Sequence, residues 1–195
     1  EDFFFSFLAD FYIEDEQLYD MANKGKYFID NGEYKNAIKQ LQKVVKRNPQ
    51  LVFARNNLAL AYFCNGEIDN AVEATEDILY DFPLNVHAIC NMAIFLTRRG
   101  EKDRAEEYIK SLDNISCTNG EDVQKVAVTF CELKRHKEAY KYLKLLLQYK
   151  PYDIRILHYV AVAAFNIKRY NEALSYWGKI EKISPNNTIS SYYRR

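Results

Sequence analysis

Thiols and imidazoles come first among the residues of this sequence that could do chemistry. His87 and Cys90 lie three positions apart, and Cys64 and Cys131 occupy comparable helical segments elsewhere, so their side chains are the types that hold a soft metal. The spacing is not that of a zinc motif, no C-x-x-C occurs, and thiols at inward helix positions usually serve as small hydrophobes. No metal is expected. Cys131 and His158 supply the residue types of a nucleophile and its base, but no signature surrounds them, and there is neither a Gly-rich phosphate loop nor a Ser elbow. Neither catalysis nor a cofactor is expected. The run Lys134-Arg135-His136-Lys137 falls in a turn and reads as a solvated corner.

Composition narrows the classes further. The 195 residues are 48% apolar, enough for a sizeable core, and 27 Lys and Arg balance 27 Asp and Glu. That balance argues against nucleic acid and anionic membrane as partners. Six glycines and four prolines are too few for a fold that turns every ten residues, so long helices are expected. Four scattered cysteines make no disulfide framework and suggest a reducing, cytoplasmic setting. Glu1 to Glu16 carry six acids and no base, the wrong charge for an export signal, and no apolar run approaches the roughly 20 residues that span a bilayer. A start without Met and an end at Tyr192-Tyr193-Arg194-Arg195 read as a piece of a longer protein.

The elements that must position any site follow from a repeat. Pro49, Pro83, Pro151 and Pro185 lie on a 34-residue lattice whose one vacancy is Cys117. Ala37, Ala71, Ala105, Ala139 and Ala173 keep the same period without a gap, and Gly32, Gly66 and Gly100 keep it for three registers before Lys134 and Lys168 replace glycine. Apolar residues such as Ala37, Leu41 and Val44 recur at i, i+4, i+7, which is helical. Each unit therefore holds two helices: the glycine closes the first through a left-handed residue, and the proline stops the second. First helices are predicted over 18–31, 52–65, 86–99, 120–133 and 154–167, and second helices over 34–47, 68–81, 102–114, 136–149 and 170–183. Within a hairpin, Ala59, Ala93, Ala127, Ala161 and Gly25 are the small residues facing the lattice alanines, while Leu41, Ile109, Leu143 and Trp177 are expected to fill the space between hairpins.

With Phe28, Tyr62, Leu96 and Phe130 near the ends of the first helices, this unit resembles the tetratricopeptide repeat. Five units, 18–51, 52–85, 86–119, 120–153 and 154–187, cover nearly the whole chain. It departs from the family at the frequent Trp position, held by Met21, Arg55, Ile89, Val123 and Leu157, and at Ser116-Cys117-Thr118-Asn119-Gly120, where looser geometry is expected in place of a proline turn. The resemblance implies an all-α, right-handed superhelical solenoid of antiparallel helix hairpins that binds protein rather than catalyses. Carried over by phase, it implies a concave peptide-binding groove at Tyr19, Lys26, Phe53, Asn56, Leu60, Phe63, His87, Ile94, Arg98, Gln124, Val128, Arg155, His158, Val162 and Phe165. Phe53, Leu60, Phe63 and Ile94 make its most apolar part, with Asn56 and Arg98 beside them as polar handles for a peptide backbone or carboxylate. Any one of these positions could instead pack against the neighbouring repeat. Ala22, Lys26, Asn57, His87 and Asn91 do not assemble the clamp by which family members hold chaperone C-terminal tails, so such tails are not expected ligands.

Residues 1–17 do not continue the repeat. Phe4, Leu8 and Phe11, with Phe3, Phe7 and Tyr12 beside them, predict a short helix too apolar in girth to stay bare. It either caps the first hairpin or occupies a groove, its own or that of a second copy in a homodimer. Residues 188–195 read as the opening of a further first helix over the fifth hairpin. The expected function is a non-catalytic protein-protein interaction scaffold for an apolar or aromatic-bearing peptide or helix. The two other readings are a self-assembly element and a substrate-presenting module of a larger enzyme.

Overall fold

The computed structural model describes residues 2–117 and 119–185, with side chains from residue 16 onward. The described residues form ten α-helices and no strand: α1 Asp2–Asp30, α2 Tyr34–Arg47, α3 Val52–Cys64, α4 Ile68–Asp81, α5 Val86–Arg99, α6 Lys102–Asp113, α7 Gly120–Glu132, α8 His136–Tyr149, α9 Ile154–Asn166 and α10 Tyr170–Ile183. From α2 onward each helix begins and ends within one residue of its predicted bounds. The exception is α1, where the segment before residue 18 runs without a break into the first repeat helix. The capping and docking roles expected of residues 1–17 turn on side chains outside the described residues, and the expected helix at 188–195 lies outside them altogether.

One closure ends all five first helices. Gly32, Gly66 and Gly100 adopt φ of +77°, +85° and +90°, and Lys134 and Lys168 take the same left-handed turn at +56° and +65°. In each, the lattice residue donates its N–H to the carbonyl three back, as Gly66 does to Phe63 at 3.0 Å and Lys168 to Phe165 at 2.9 Å. The next residue reaches five back, as Glu67 does to Tyr62 and Arg169 to Ala164, both at 2.9 Å. This paired bonding satisfies carbonyls that the helix end would leave bare, and it fixes the reversal into the second helix. The hydrogen bonds survive the loss of glycine because the backbone makes them; Lys134 and Lys168 carry steric strain instead.

Second helices end by a different rule. Asn48, Phe82, Lys150 and Ser184 each precede a lattice proline, and each has left the helical region, with φ between -132° and -142°. A proline ring clashes with a helical conformation in the residue before it, so the helix cannot continue. Where the lattice lacks its proline, α6 stops at Asp113, and Asn119 starts α7 by accepting the Asp122 N–H on its side chain at 2.9 Å.

The chain divides into two compact units, Glu1–Ala105 and Glu106–Arg195. In the first, α1 packs on α2 and α3 on α4, α2 and α4 lean on the first helix that follows, and α1, α3 and α5 lie side by side. Its core holds Leu41, Val44, Ile78, Met92, Phe95 and Leu96 with the small residues Ala37, Ala59, Ala71 and Ala93, all essentially inaccessible. Burying each of the larger side chains contributes about 1.5–3 kcal/mol. Gly25 corrects one detail. A Cβ there would lie 2.5 Å from Cγ of Leu41, so Leu41 fills space inside the first hairpin, directly over the glycine. In the second unit α7 packs on α8, α8 on α9 and α9 on α10 around Phe130, Leu143, Leu146, Leu157, Trp177 and Ile180. There the Tyr142 hydroxyl donates to the Leu112 carbonyl at 2.8 Å, tying α8 to α6.

Candidate functional site

The first unit brings the predicted groove residues from Tyr19 to Arg98 onto adjoining first helices. Tyr19 of α1 stacks on Phe53 of α3 with ring centroids 5.4 Å apart and planes 1° from parallel. Tyr19 remains half exposed, while Phe53, Leu60 and Phe63 are half-buried along α3. Phe63 stacks on Phe95 of α5 at 4.5 Å. His87 and Ile94 are half-buried on α5, Arg98 is exposed near its end, and Lys26 is exposed on α1 in an ion pair with Asp30 at 2.7 Å.

Asn56 is a buried polar residue on α3 beside these apolar groups. Its amide donates to the Val52 carbonyl at 3.2 Å and to Asn85 Oδ1 at 3.1 Å, and the same Asn85 oxygen accepts the Ala88 N–H that opens α5. Asn56 thus couples α3 to the N-terminus of α5. Its own Oδ1 is buried without a hydrogen-bond partner, a cost of about 1–3 kcal/mol unless some other donor reaches it.

The remaining predicted positions belong to the second unit. Gln124 accepts from Lys150 at 3.0 Å, and Arg155 reaches back to Asp153 at 3.4 Å. Val128 and Phe165 are about half exposed, and Val162 is half-buried. Phe165 meets Tyr170 edge-on at 5.2 Å. His158 is drawn into the hairpin interior, where Nδ1 accepts from Trp177 Nε1 at 3.4 Å and burial holds its pKa below the ordinary 6.5.

Two features escaped the sequence reading. Phe95 lies on the lattice that elsewhere carries Tyr27, Ala61, Thr129 and Ala163, and a large residue flanked by two small lattice positions was the available sign of its stacking role. The other is a cleft of about 420 Å³ on the opposite side of α3, where Val45, Leu58 and Tyr62 meet Arg55, Glu73, Asp77 and Asp81. Arg55 stands where the family often has Trp, and it closes an ion pair with Asp81 at 2.6 Å.

No disulfide joins any of the four cysteines, and burial pushes the Cys131 thiol up to about 11, which keeps it protonated at neutral pH. Among the described residues no three His, Cys, Asp or Glu side chains converge as a metal site, and no helix is long and apolar enough to cross a membrane.

Paired helices of this length, closed alternately by a left-handed residue and a proline every 34 positions, define the tetratricopeptide repeat fold. The family described as TPR repeat matches residues 25–66. A thermophilic TPR protein of Thermus thermophilus is similar in structure, with 18% identity and a TM-score of 0.64 over 90% of this chain and 96% of that one. The chain is also similar to Pseudomonas aeruginosa pilF (18% identity, TM-score 0.62, 90% of this chain and 80% of that one). The crystal structure of MamA is a third likeness (19%, 0.55, 83% and 94%). No curated protein matches the sequence. At these identities the likeness establishes the fold.

Proposed function

We propose that the chain is a non-catalytic protein-interaction scaffold whose binding face is formed by α1, α3 and α5 of the first unit. The observation that carries this reading is the line of incompletely buried apolar groups Tyr19, Phe53, Leu60, Phe63 and Ile94 beside the unsatisfied acceptor of Asn56. Anchors of this kind bind aromatic or aliphatic side chains of a peptide or helix, and a nearby acceptor selects a ligand N–H. Arg98 favours a carboxylate at one end. The five units at 18–51, 52–85, 86–119, 120–153 and 154–187 act as the scaffold, and cysteines without disulfides suit the reducing cytoplasm.

The test is capture of a partner by the wild-type chain beside Phe63→Glu and Arg98→Glu, each first shown folded by circular dichroism. Both should weaken capture, Phe63→Glu by about 30-fold or more if it is a central anchor. Glu73→Lys, on the far side of α3, should leave capture intact. Loss with Glu73→Lys and retention with Phe63→Glu would move the binding face to the acidic cleft.

A further inference from the structure

Among the described residues the outer side of α10 is built like an internal seam but lies open. On the repeat lattice Val72, Tyr140 and Leu174 are equivalent positions of second helices. Val72 is 1% and Tyr140 7% exposed, and the Tyr140 hydroxyl donates to Glu172 of the following hairpin, so this side of a second helix faces the next unit. Leu174 is 46% exposed. Leu174, Ser175, Gly178, Lys179, Glu181 and Lys182 line an open depression there of about 480 Å³. Lys179 and Lys182 also border an apolar hollow with Tyr152, Leu157 and Ile183. Ser175 and Gly178 are the small residues of this lining, and the two ammonium groups favour an acidic partner.

The other end of the chain carries a helix with those properties. α1 has 29 residues where α3 has 13, and α2, with 14, can cover only half of it. About 22 Å of helix therefore extends beyond the first hairpin. At 100° per residue, the sequence positions Phe3, Phe4, Phe7, Leu8, Phe11 and Tyr12 spread over about half a helix circumference, more apolar surface than a lone helix tolerates in water. Residues 1–16 hold six carboxylates and no base, whereas residues 106–195 hold 15 Lys and Arg against 10 Asp and Glu.

We propose that the outer side of α10 seats the N-terminal half of α1 from a second copy of this chain, in the place that a first helix takes in the internal α2/α3, α4/α5 and α8/α9 seams. The contact is heterologous, joining different surfaces of two copies, and it propagates into short chains unless geometry closes a ring. It does not depend on the peptide-binding face.

Light scattering on the full chain tests it. The wild type should rise with concentration from 23.0 kDa to at least twice that mass. Leu8→Glu spoils one end and Leu174→Glu the other, so each variant alone should stay at 23.0 kDa with an unchanged helical spectrum. An equimolar mixture retains one good end from each and should reach twice the monomer mass and no more. A wild type that stays monomeric at every concentration overturns the proposal, whether because the chain's own residues 188–195 cover α10 or because the surface serves another protein. So does self-association of Leu174→Glu alone, or a mixture that remains monomeric.

Discussion

The indole N–H of Trp177 on α10 is directed at Nδ1 of His158 on α9, 3.4 Å away, which makes the imidazole an acceptor inside the fifth hairpin. An acceptor at Nδ1 must be unprotonated, so the proton of the neutral ring sits on Nε2 and the bond is lost in acid.

Burial lowers the His158 pKa below 6.5, so the unfolded chain takes up the proton more readily than the folded one. Stability from this group is complete above pH 6.5 and falls as pH drops from there through the lowered folded value. His158→Gln keeps an acceptor and removes the titration. The wild type should lose stability relative to this variant on acidification, and an imidazole midpoint below 6.5 by NMR checks the cause. A midpoint above that value would refute it.

Tyr140 titrates in the opposite sense. Burial, reinforced by the Glu172 carboxylate, pushes its hydroxyl up to about 12 from 10.0. The folded state resists ionisation, so the stability contribution is whole below pH 10.0 and disappears as pH rises through about 12. The absorbance difference between wild type and Tyr140→Phe should show one phenol ionising well after the exposed tyrosines.

Lys134 and Lys168 hold a backbone conformation that suits glycine. Lys134→Gly and Lys168→Gly should each stabilise by about 0.5–1 kcal/mol through relief of that strain, partly offset by the greater freedom of the unfolded chain. Gly66→Ala should cost about 1 kcal/mol, although nothing lies within 4 Å of the added methyl, because its φ is +85°. Urea midpoints at unchanged m-value provide the comparison.

Gly25 and Leu41 are coupled by contact. Gly25→Ala should destabilise by about 1–3 kcal/mol through overpacking, and Leu41→Ala by about 2–5 kcal/mol through the cavity it leaves. The double variant should lose clearly less than the two together, since each change makes room for the other. Additive losses would mean that the two do not share a space.

Helix bounds were legible because glycine and proline act locally. Gly66 and Pro83 impose their conformations on one or two residues, and a fixed period repeats the message. The left-handed turns at Lys134 and Lys168 were legible as lattice positions but not as conformations, since lysine gives no local sign of φ above zero. The stacking of Phe63 on Phe95 and the commitment of His158 to Trp177 depend on how side chains of different helices meet. Periodicity places a residue on a face without saying which neighbour it touches. Leu41 over Gly25 was missed for the same reason.

Trp177 is the sole tryptophan, and it is buried within the final hairpin. In repeat arrays each unit draws its stability from its immediate neighbours, so one end can melt while the other holds. Tryptophan emission, excited to the red of the tyrosine band, is accordingly a local thermometer for α9 and α10, silent when α1 and α2 let go. Backbone dichroism, which weights every helix, should part from it wherever unfolding runs inward from the amino end.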